Sequence, residues 1–416
     1  MSPKTNSVPE KQIVNFKADV HLIQILGEQL IGSEKVGILE LIKNAYDAGA
    51  KTCDVWIEKV PGLPEATLSD PDIAQLPGPV ISIIDNGRGM DEMTIKNGWL
   101  RPATRIKTSV KDQLKQERKE ADARGTRAEY ESLVSALKKQ HGGRLPLGEK
   151  GVGRFATHRL GKSVILQTKT TGTSFEWLLK IDWEKFDNPH DDPEKTPLGL
   201  QDVDLTLISR TPERNYGEED SGTVLRIYGG KEGFEWTEDT LREIGFAIAQ
   251  LRSPSSQANL DIGFSPSFHC PQLSNDKFDV LTNTVPAPFI CTAIVDEQGK
   301  ADIEIRFTPP NSLSKPMASK TQESLNVELR RPPEDRPGYW KLQGSKSRLR
   351  KPECGPFTCE IKVWIRSNEW IDYVDFKSFT DYLEEFGGVG IYRDGFSILP
   401  AQDASKMIGY DYPLVI

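Results

Sequence analysis

Apolar positions in residues 18–30 (ADVHLIQILGEQL) and 34–48 (EKVGILELIKNAYDA) recur every three to four residues, which predicts two helices. Gly49 follows the second as a helix-ending residue. The period then shortens. CDVWIEKV (53–60) alternates like a half-buried strand, a Pro/Gly loop covers 61–79, and PVISIIDNG (79–87) is an apolar strand stopped by a turn signal. Beyond residue 160, SVILQTKT, SFEWLLKIDW, DVDLTLISRT and GTVLRIYG read as successive strands. No helical pattern separates most of them, so an antiparallel sheet is expected. WTEDTLREIGFAIAQLRSP (236–254) predicts a helix with an acidic start that ends before Pro254.

Residues 101–144 break this rhythm. They carry 12 Lys/Arg against 6 Asp/Glu, a net +6, with little apolar pattern before ESLVSALKK. That composition predicts a mobile, partly helical excursion ending at Gly-Gly-Arg. After residue 254 the chain mixes strands (DIEIRFTPP, PFTCEIKVWIRS), a helix around 376–386, a Pro-rich basic loop at 330–351 and a strand–turn–strand at 387–400 (GGVGIYRDGFSILP).

Composition narrows the class without choosing a function. With 416 residues, two domains are the natural expectation. Charged residues make up 27% and hydrophobic residues 37%, the balance of a soluble globular chain. The net charge of −8 excludes a chain built as a whole to coat nucleic acid or an anionic membrane, and leaves local basic patches open. No run of about 18 apolar residues occurs, so no spanning helix is expected. The polar start, MSPKTNSVPEKQIVNF, does not read as a signal peptide. The five scattered cysteines suggest a reducing, cytoplasmic compartment without a disulfide framework.

Three short patterns carry chemistry. In ILELIKNAYDAGA, Glu40, Asn44 and Asp47 stand at i, i+4 and i+7 and share one helix face, with Leu39, Ile42 and Ala45 opposite as a core face. Carboxylates and an amide on one stripe suit a hydrated Mg²⁺ with a base beside it. Alone, the pattern reads more readily as a solvated face. Asp85-Asn86-Gly87-Arg88-Gly89-Met90 follows the apolar strand. A carboxylate at a strand end followed by two glycines can face a flat ligand closely, although such sequences also make plain turns. Gly148-Glu149-Lys150-Gly151-Val152-Gly153-Arg154-Phe155 precedes a helical pattern and offers backbone N–H groups to phosphate. Gly151, Gly153 and Ala156 also spell a dinucleotide fingerprint, but a loop rather than a strand precedes them. No P-loop is present.

The order of these patterns is more specific than any one of them. A helix with E-x₃-N-x₂-D-A, a strand ending in D-x-G-x-G-M, a charged excursion and then G-x-x-G-x-G together resemble the GHKL superfamily (gyrase B, Hsp90, histidine kinases and MutL) over roughly residues 20–230. The resemblance implies an α+β chain: a Bergerat-type α/β sandwich that binds ATP, followed by a smaller transducer-like, S5-like α/β domain. On that reading residues 1–17 form an arm, 18–254 the ATP domain with a lid excursion at 101–147, and 255–416 the transducer, shorter than its counterparts. It implies Glu40 as the base orienting the attacking water and Asn44 as the Mg²⁺ ligand. Asp47 stands at a second acidic position of more structural or electrostatic character. Asp85 would accept the adenine amino group, with Thr223 helping and Gly87, Gly89 and Met90 shaping the base pocket. Gly148, Gly151 and Gly153 would wrap the phosphates, flanked by Lys150, Val152, Arg154 and Phe155.

The second half looks like that of bacterial MORC-like and Hsp90-like switch ATPases, and the resemblance makes Arg393 and Lys406 candidate γ-phosphate sensors. It implies ATP and Mg²⁺ as ligands and an ATP-dependent homodimer acting as a switch or clamp. The basic stretches 101–144 and 330–351 carry cations able to contact DNA phosphates, while solvated loops are the plainer reading in an acidic chain. A role in genome maintenance or antiviral phage defence follows by analogy, with any effector on a partner protein or a further C-terminal region. The alternatives are an Hsp90-like chaperone and a non-hydrolysing nucleotide-binding module. A Gln-Thr-Lys at 167–169 falls within the first domain and reads as coincidence in a strand.

Overall fold

The computed structural model describes residues 18–29, 31–101, 106–140, 144–147, 153–187, 199–252, 263–273, 287, 289–296, 300–307, 323–328, 356–363, 391–393 and 396–399. The chain divides into two units, Met1–Ala249 with Gly263–Phe278, and Gln250–Ile262 with Asp279–Ile416.

The helices of the first unit are α1 (His21–Gln24), which runs on as a wider π turn through Gln29, α2 (Glu34–Asp47), α3 (Glu92–Thr94), α4 (Ile106–Arg124), α5 (Arg127–Gln140), α6 (Ala156–Leu160), α7 (Glu184–Asp187) and α8 (Glu238–Ala249). Its strands are β1 (Thr52–Glu58), β2 (Val80–Asp85), β3 (Ser163–Lys169), β4 (Glu176–Asp182), β5 (Leu207–Arg210), β6 (Gly222–Tyr228) and β7 (Ser265–His269). They form one sheet in the order β5-β4-β3-β6-β2-β1-β7. Every pairing is antiparallel except β1 with β7. The sheet thus takes in residues beyond 254, where the sequence suggested a boundary. Parallel pairing needs a long return connection rather than a tight turn, so no local signal marks the last strand.

Register decides what faces the helices. Val55, Ile83, Leu225 and Leu166 lie in one row across β1, β2, β6 and β3, and all are buried. The next row on the same face, two positions toward the end of β2, is Cys53, Asp85, Thr223 and Thr168. Paired positions in a ladder project to the same side. Asp85 and the two threonines therefore stand on the core-facing side, where α2 and α6 contact the sheet.

Helix α2 is capped by Ser33, whose side chain accepts the Val36 N–H. It buries Ile38, Leu41, Ile42, Ala45 and Tyr46. Leu39, expected in the core, is only half-buried. It is adjacent to Glu40 on the helix wheel, about 100° away, and so sits at the edge of the open stripe rather than across from it. The excursion is helical, in keeping with its helix-forming composition. It forms two helices, α4 and α5, packed on each other, with Ala121 and Leu137 buried. Its straight-chain charged residues favour helix and pair one turn apart, as Glu120 does with Arg124 at 2.8 Å.

In the second unit β8 (Phe289–Val295), β9 (Lys300–Phe307), β10 (Glu323–Glu328) and β11 (Phe357–Val363) form an antiparallel sheet in the order β10-β9-β8-β11. Strands β12 (Ile391–Arg393) and β13 (Phe396–Leu399) make the hairpin seen in the sequence. The expected helix at 376–386 and the basic loop at 330–351 lie outside the described residues. Among the described residues no helix is long and apolar enough to cross a membrane, and Cys53, Cys270, Cys291 and Cys359 are free thiols.

Candidate active site

One end of the site is built on the row Asp85–Thr223–Thr168. Asp85 closes β2, and its Oδ1 accepts the Gly87 N–H at 2.8 Å. Burial pushes its carboxyl up to about 6, against the pull of the Gly87 and Thr223 backbone N–H groups. It also helps push the buried Cys53 thiol well above its ordinary range, where desolvation is the larger cause. A carboxylate kept at such a cost, with part of its surface still accessible, is a group prepared for a donor.

The turn after Asp85 is pinned on several sides. Asn86 Oδ1 accepts the Lys51 and Thr52 N–H groups, both at 2.8 Å. Arg88 donates its backbone N–H to Ala48 O at 3.1 Å and its guanidinium to Asp47 O at 2.7 Å. Ser221 Oγ donates to Gly87 O at 2.8 Å. Gly89 has a φ of +65°, and a Cβ there would lie 1.9 Å from Lys169 O, so only glycine fits.

Thr168 organises the pocket wall and was missed from sequence. Its hydroxyl accepts the Met90 N–H at 2.9 Å and donates to Gly222 O at 3.0 Å. With that proton committed, the 3.1 Å contact to Thr223 has Thr223 as donor. Thr223 therefore keeps acceptor capacity beside Asp85. The Gln-Thr-Lys dismissed as coincidence contains this residue. Its importance depends on β3 lying beside β6, which the linear sequence does not display.

The other end is carried by α2. Glu40 and Asn44 are half-buried and one turn apart. Glu40 Oε1 accepts from Lys43 Nζ at 2.7 Å. A Cβ on Gly153 would lie 3.3 Å from Glu40 Oε2 and 3.6 Å from Asn44 Nδ2. The last glycine of the Gly-rich loop therefore rests directly on the two polar side chains. Gly153–Phe155 forms a 3₁₀ turn leading into α6, and Phe155 is buried. Arg154 is half-buried, and burial lowers its guanidinium to about 10. Among the described residues no carboxylate pairs with it, so an incoming anion would offset that desolvation.

Asp47 lies on the same helix face as Glu40 and Asn44, but at its end of α2 that face is covered. It is buried, and its Oδ1 accepts the Leu147 N–H at 2.7 Å. It anchors the chain leaving the helical excursion. Arg144 adds a second anchor: its guanidinium stacks 4.7 Å from the Tyr46 ring and donates to Gly263 O at 2.8 Å. Gly148, Lys150, Gly151, Val152 and Lys406 lie outside the described residues, as does the Arg393 side chain; the Arg393 backbone is in β12.

The described residues hold no group of three or more His, Cys, Asp or Glu able to bind a metal by themselves. A cation beside Asn44 would therefore take most of its ligands from phosphate and water, as Mg²⁺ does.

Residues 32–213 match the family model described as histidine kinase-, DNA gyrase B-, and HSP90-like ATPase. No curated protein matches the chain. Residues 32–213 are thus a GHKL-type ATPase domain, and the sheet and helices above are consistent with its Bergerat fold. The match ends before β6, yet Thr223 on that strand pairs directly with Asp85.

Proposed function

We propose that this ATPase domain binds adenine at Asp85, holds the phosphates beside Gly153 and Arg154, and hydrolyses ATP with Glu40 as the base. The observation that carries the reading is spatial. The turn after the raised Asp85 carboxyl is tied to Asp47 O and Ala48 O at the C-terminal end of α2, and the Glu40–Asn44 pair stands farther back along the same helix, with the loop glycine Gly153 against the pair. Asp85 accepts the adenine amino proton, and Thr223 presents its free acceptor capacity beside it. Arg154 meets phosphate charge, and Glu40 orients the attacking water and takes its proton. Asn44 supplies a neutral oxygen ligand to Mg²⁺, which when bound neutralises phosphate charge.

The excursion α4–α5 is the moving part of this proposal. It lies in the chain between the adenine turn and the Gly-rich loop, and Asp47 and Arg144 hold its exit. Nucleotide contacts at both flanks give ATP a differential hold on this segment, which hydrolysis releases. On this reading ATP closes the lid and joins two copies of the chain, and the dimer is a switch or clamp. The hairpin's exposed Lys115 and Lys119 favour DNA as what is held, because such cations neutralise phosphates. The resemblance to MORC-like ATPases, with its link to phage defence, points the same way.

Sedimentation of the full chain with Mg²⁺ and a non-hydrolysable ATP analogue tests the switch. The expected result is a doubling of mass with the analogue and reversal with ADP. An unchanged mass at saturating analogue would contradict it. Salt-sensitive DNA retention only in the analogue-bound state would support the clamp, and retention independent of nucleotide would contradict it.

A further inference from the structure

We infer that Lys43 is a positioning residue for ATP hydrolysis, holding the Glu40 carboxylate in its working orientation; this rests on Glu40 being the base. Both residues are on the open stripe of α2, three apart, and both are half-buried, with side chains 28% and 32% exposed. Lys43 Nζ lies 2.7 Å from Oε1 of Glu40. The other oxygen, Oε2, faces the Gly153 backbone at the phosphate loop, beside the Asn44 amide. The two oxygens thus have separate duties. One is tied to a cation on the same helix, and the other is presented where water and phosphate meet.

The arrangement matters because a glutamate has three side-chain torsions and would otherwise sample many rotamers in a half-open site. A base works only within hydrogen-bond reach of its proton, and small misplacements cost large factors in rate. Backbone geometry does not fix Glu40, since α2 fixes only its Cα–Cβ direction. A fully exposed i,i+3 ion pair would contribute little. Here Gly153 packs on the carboxylate from one side while the ammonium grips it from the other, so the pair sets a direction as well as a charge balance.

Steady-state ATP turnover by the full chain with Mg²⁺ tests this, using Lys43→Met, Lys43→Arg, Glu40→Gln and the Glu40→Gln/Lys43→Met double variant. Lys43→Met should lower kcat about tenfold while KM for ATP stays within about twofold, with an unchanged melting temperature. Lys43→Arg should recover most of the rate. Adding Lys43→Met to Glu40→Gln should cost nothing further, because Lys43 acts through Glu40. Wild-type kcat in Lys43→Met would overturn the inference, as would a further loss in the double variant. Equal loss in the Met and Arg variants would also overturn it. Glu40→Gln turning over at the wild-type rate would instead remove the base, and with it the reading beneath.

Discussion

The two ends of the site, which the proposed function gives to adenine and to phosphate, are built on opposite plans. At the adenine end Asp85, Thr168 and Thr223 stand in register on neighbouring strands, and Gly89 and Ser221 lock the turn to the sheet backbone. At the phosphate end Glu40, Lys43 and Asn44 sit on one half-open helix stripe, and their main contact across the site is Gly153. The first end holds a carboxyl that burial pushes up to about 6. The second depends on side-chain rotamers and on a loop that follows the α4–α5 hairpin.

This contrast gives an order of sensitivity. Gly89→Ala should be the most damaging change, because the new methyl would meet Lys169 O at 1.9 Å in a left-handed backbone. We expect ATP binding too weak to measure and a stability loss on the order of 2–4 kcal/mol, read by calorimetry and denaturant unfolding. Near-normal binding would show that the adenine end is not rigid.

Asp85→Asn should lower ATP affinity roughly a hundredfold, the cost of a charged hydrogen bond lost in a buried site. The same change should stabilise the nucleotide-free protein at pH 7 by on the order of 1–2 kcal/mol. The sign follows from the raised carboxyl. Folding disfavours the ionised form, so Asp85 penalises stability above about pH 6, and the penalty fades as pH falls toward the ordinary carboxylate value of about 4. The stability difference between wild type and variant should therefore shrink across that window. ATP affinity of the wild type should fall over the same range, as protonation removes an acceptor. A pH-independent difference would contradict the buried-carboxylate account.

Thr168→Val should weaken ATP binding about tenfold by leaving the Met90 N–H without its acceptor, and Thr168→Ser should restore it. Asp47→Ala should have the smallest effect on nucleotide affinity, within about threefold. It should nevertheless raise amide exchange at Leu147, because it frees the exit of the hairpin rather than the pocket.

Much of this site was legible in the sequence, and what was hidden has a common cause. Glu40, Asn44 and Asp85 announce themselves because helix spacing and a strand-ending turn are local. Thr223 was reached through family resemblance, and register then places it opposite Asp85. Thr168 was not legible, since its role needs β3 to lie between β4 and β6. Asp47 is on the same helix stripe as Glu40, but the chain at Leu147, one hundred residues later, covers it, which no local pattern displays. The net charge and partly helical character of 101–144 were plain, while the packing of its two helices on each other was not, because only a few small or apolar positions such as Ala121 and Leu137 mark their seam.

Measuring ATP binding and single-turnover hydrolysis with Mg²⁺, for wild type and Glu40→Ala, tests the central claim most directly. The account predicts that the variant binds ATP within a few-fold of wild type and hydrolyses it about a hundred to a thousand times more slowly. A variant that hydrolyses at the wild-type rate, or a wild type that binds no ATP, would contradict it.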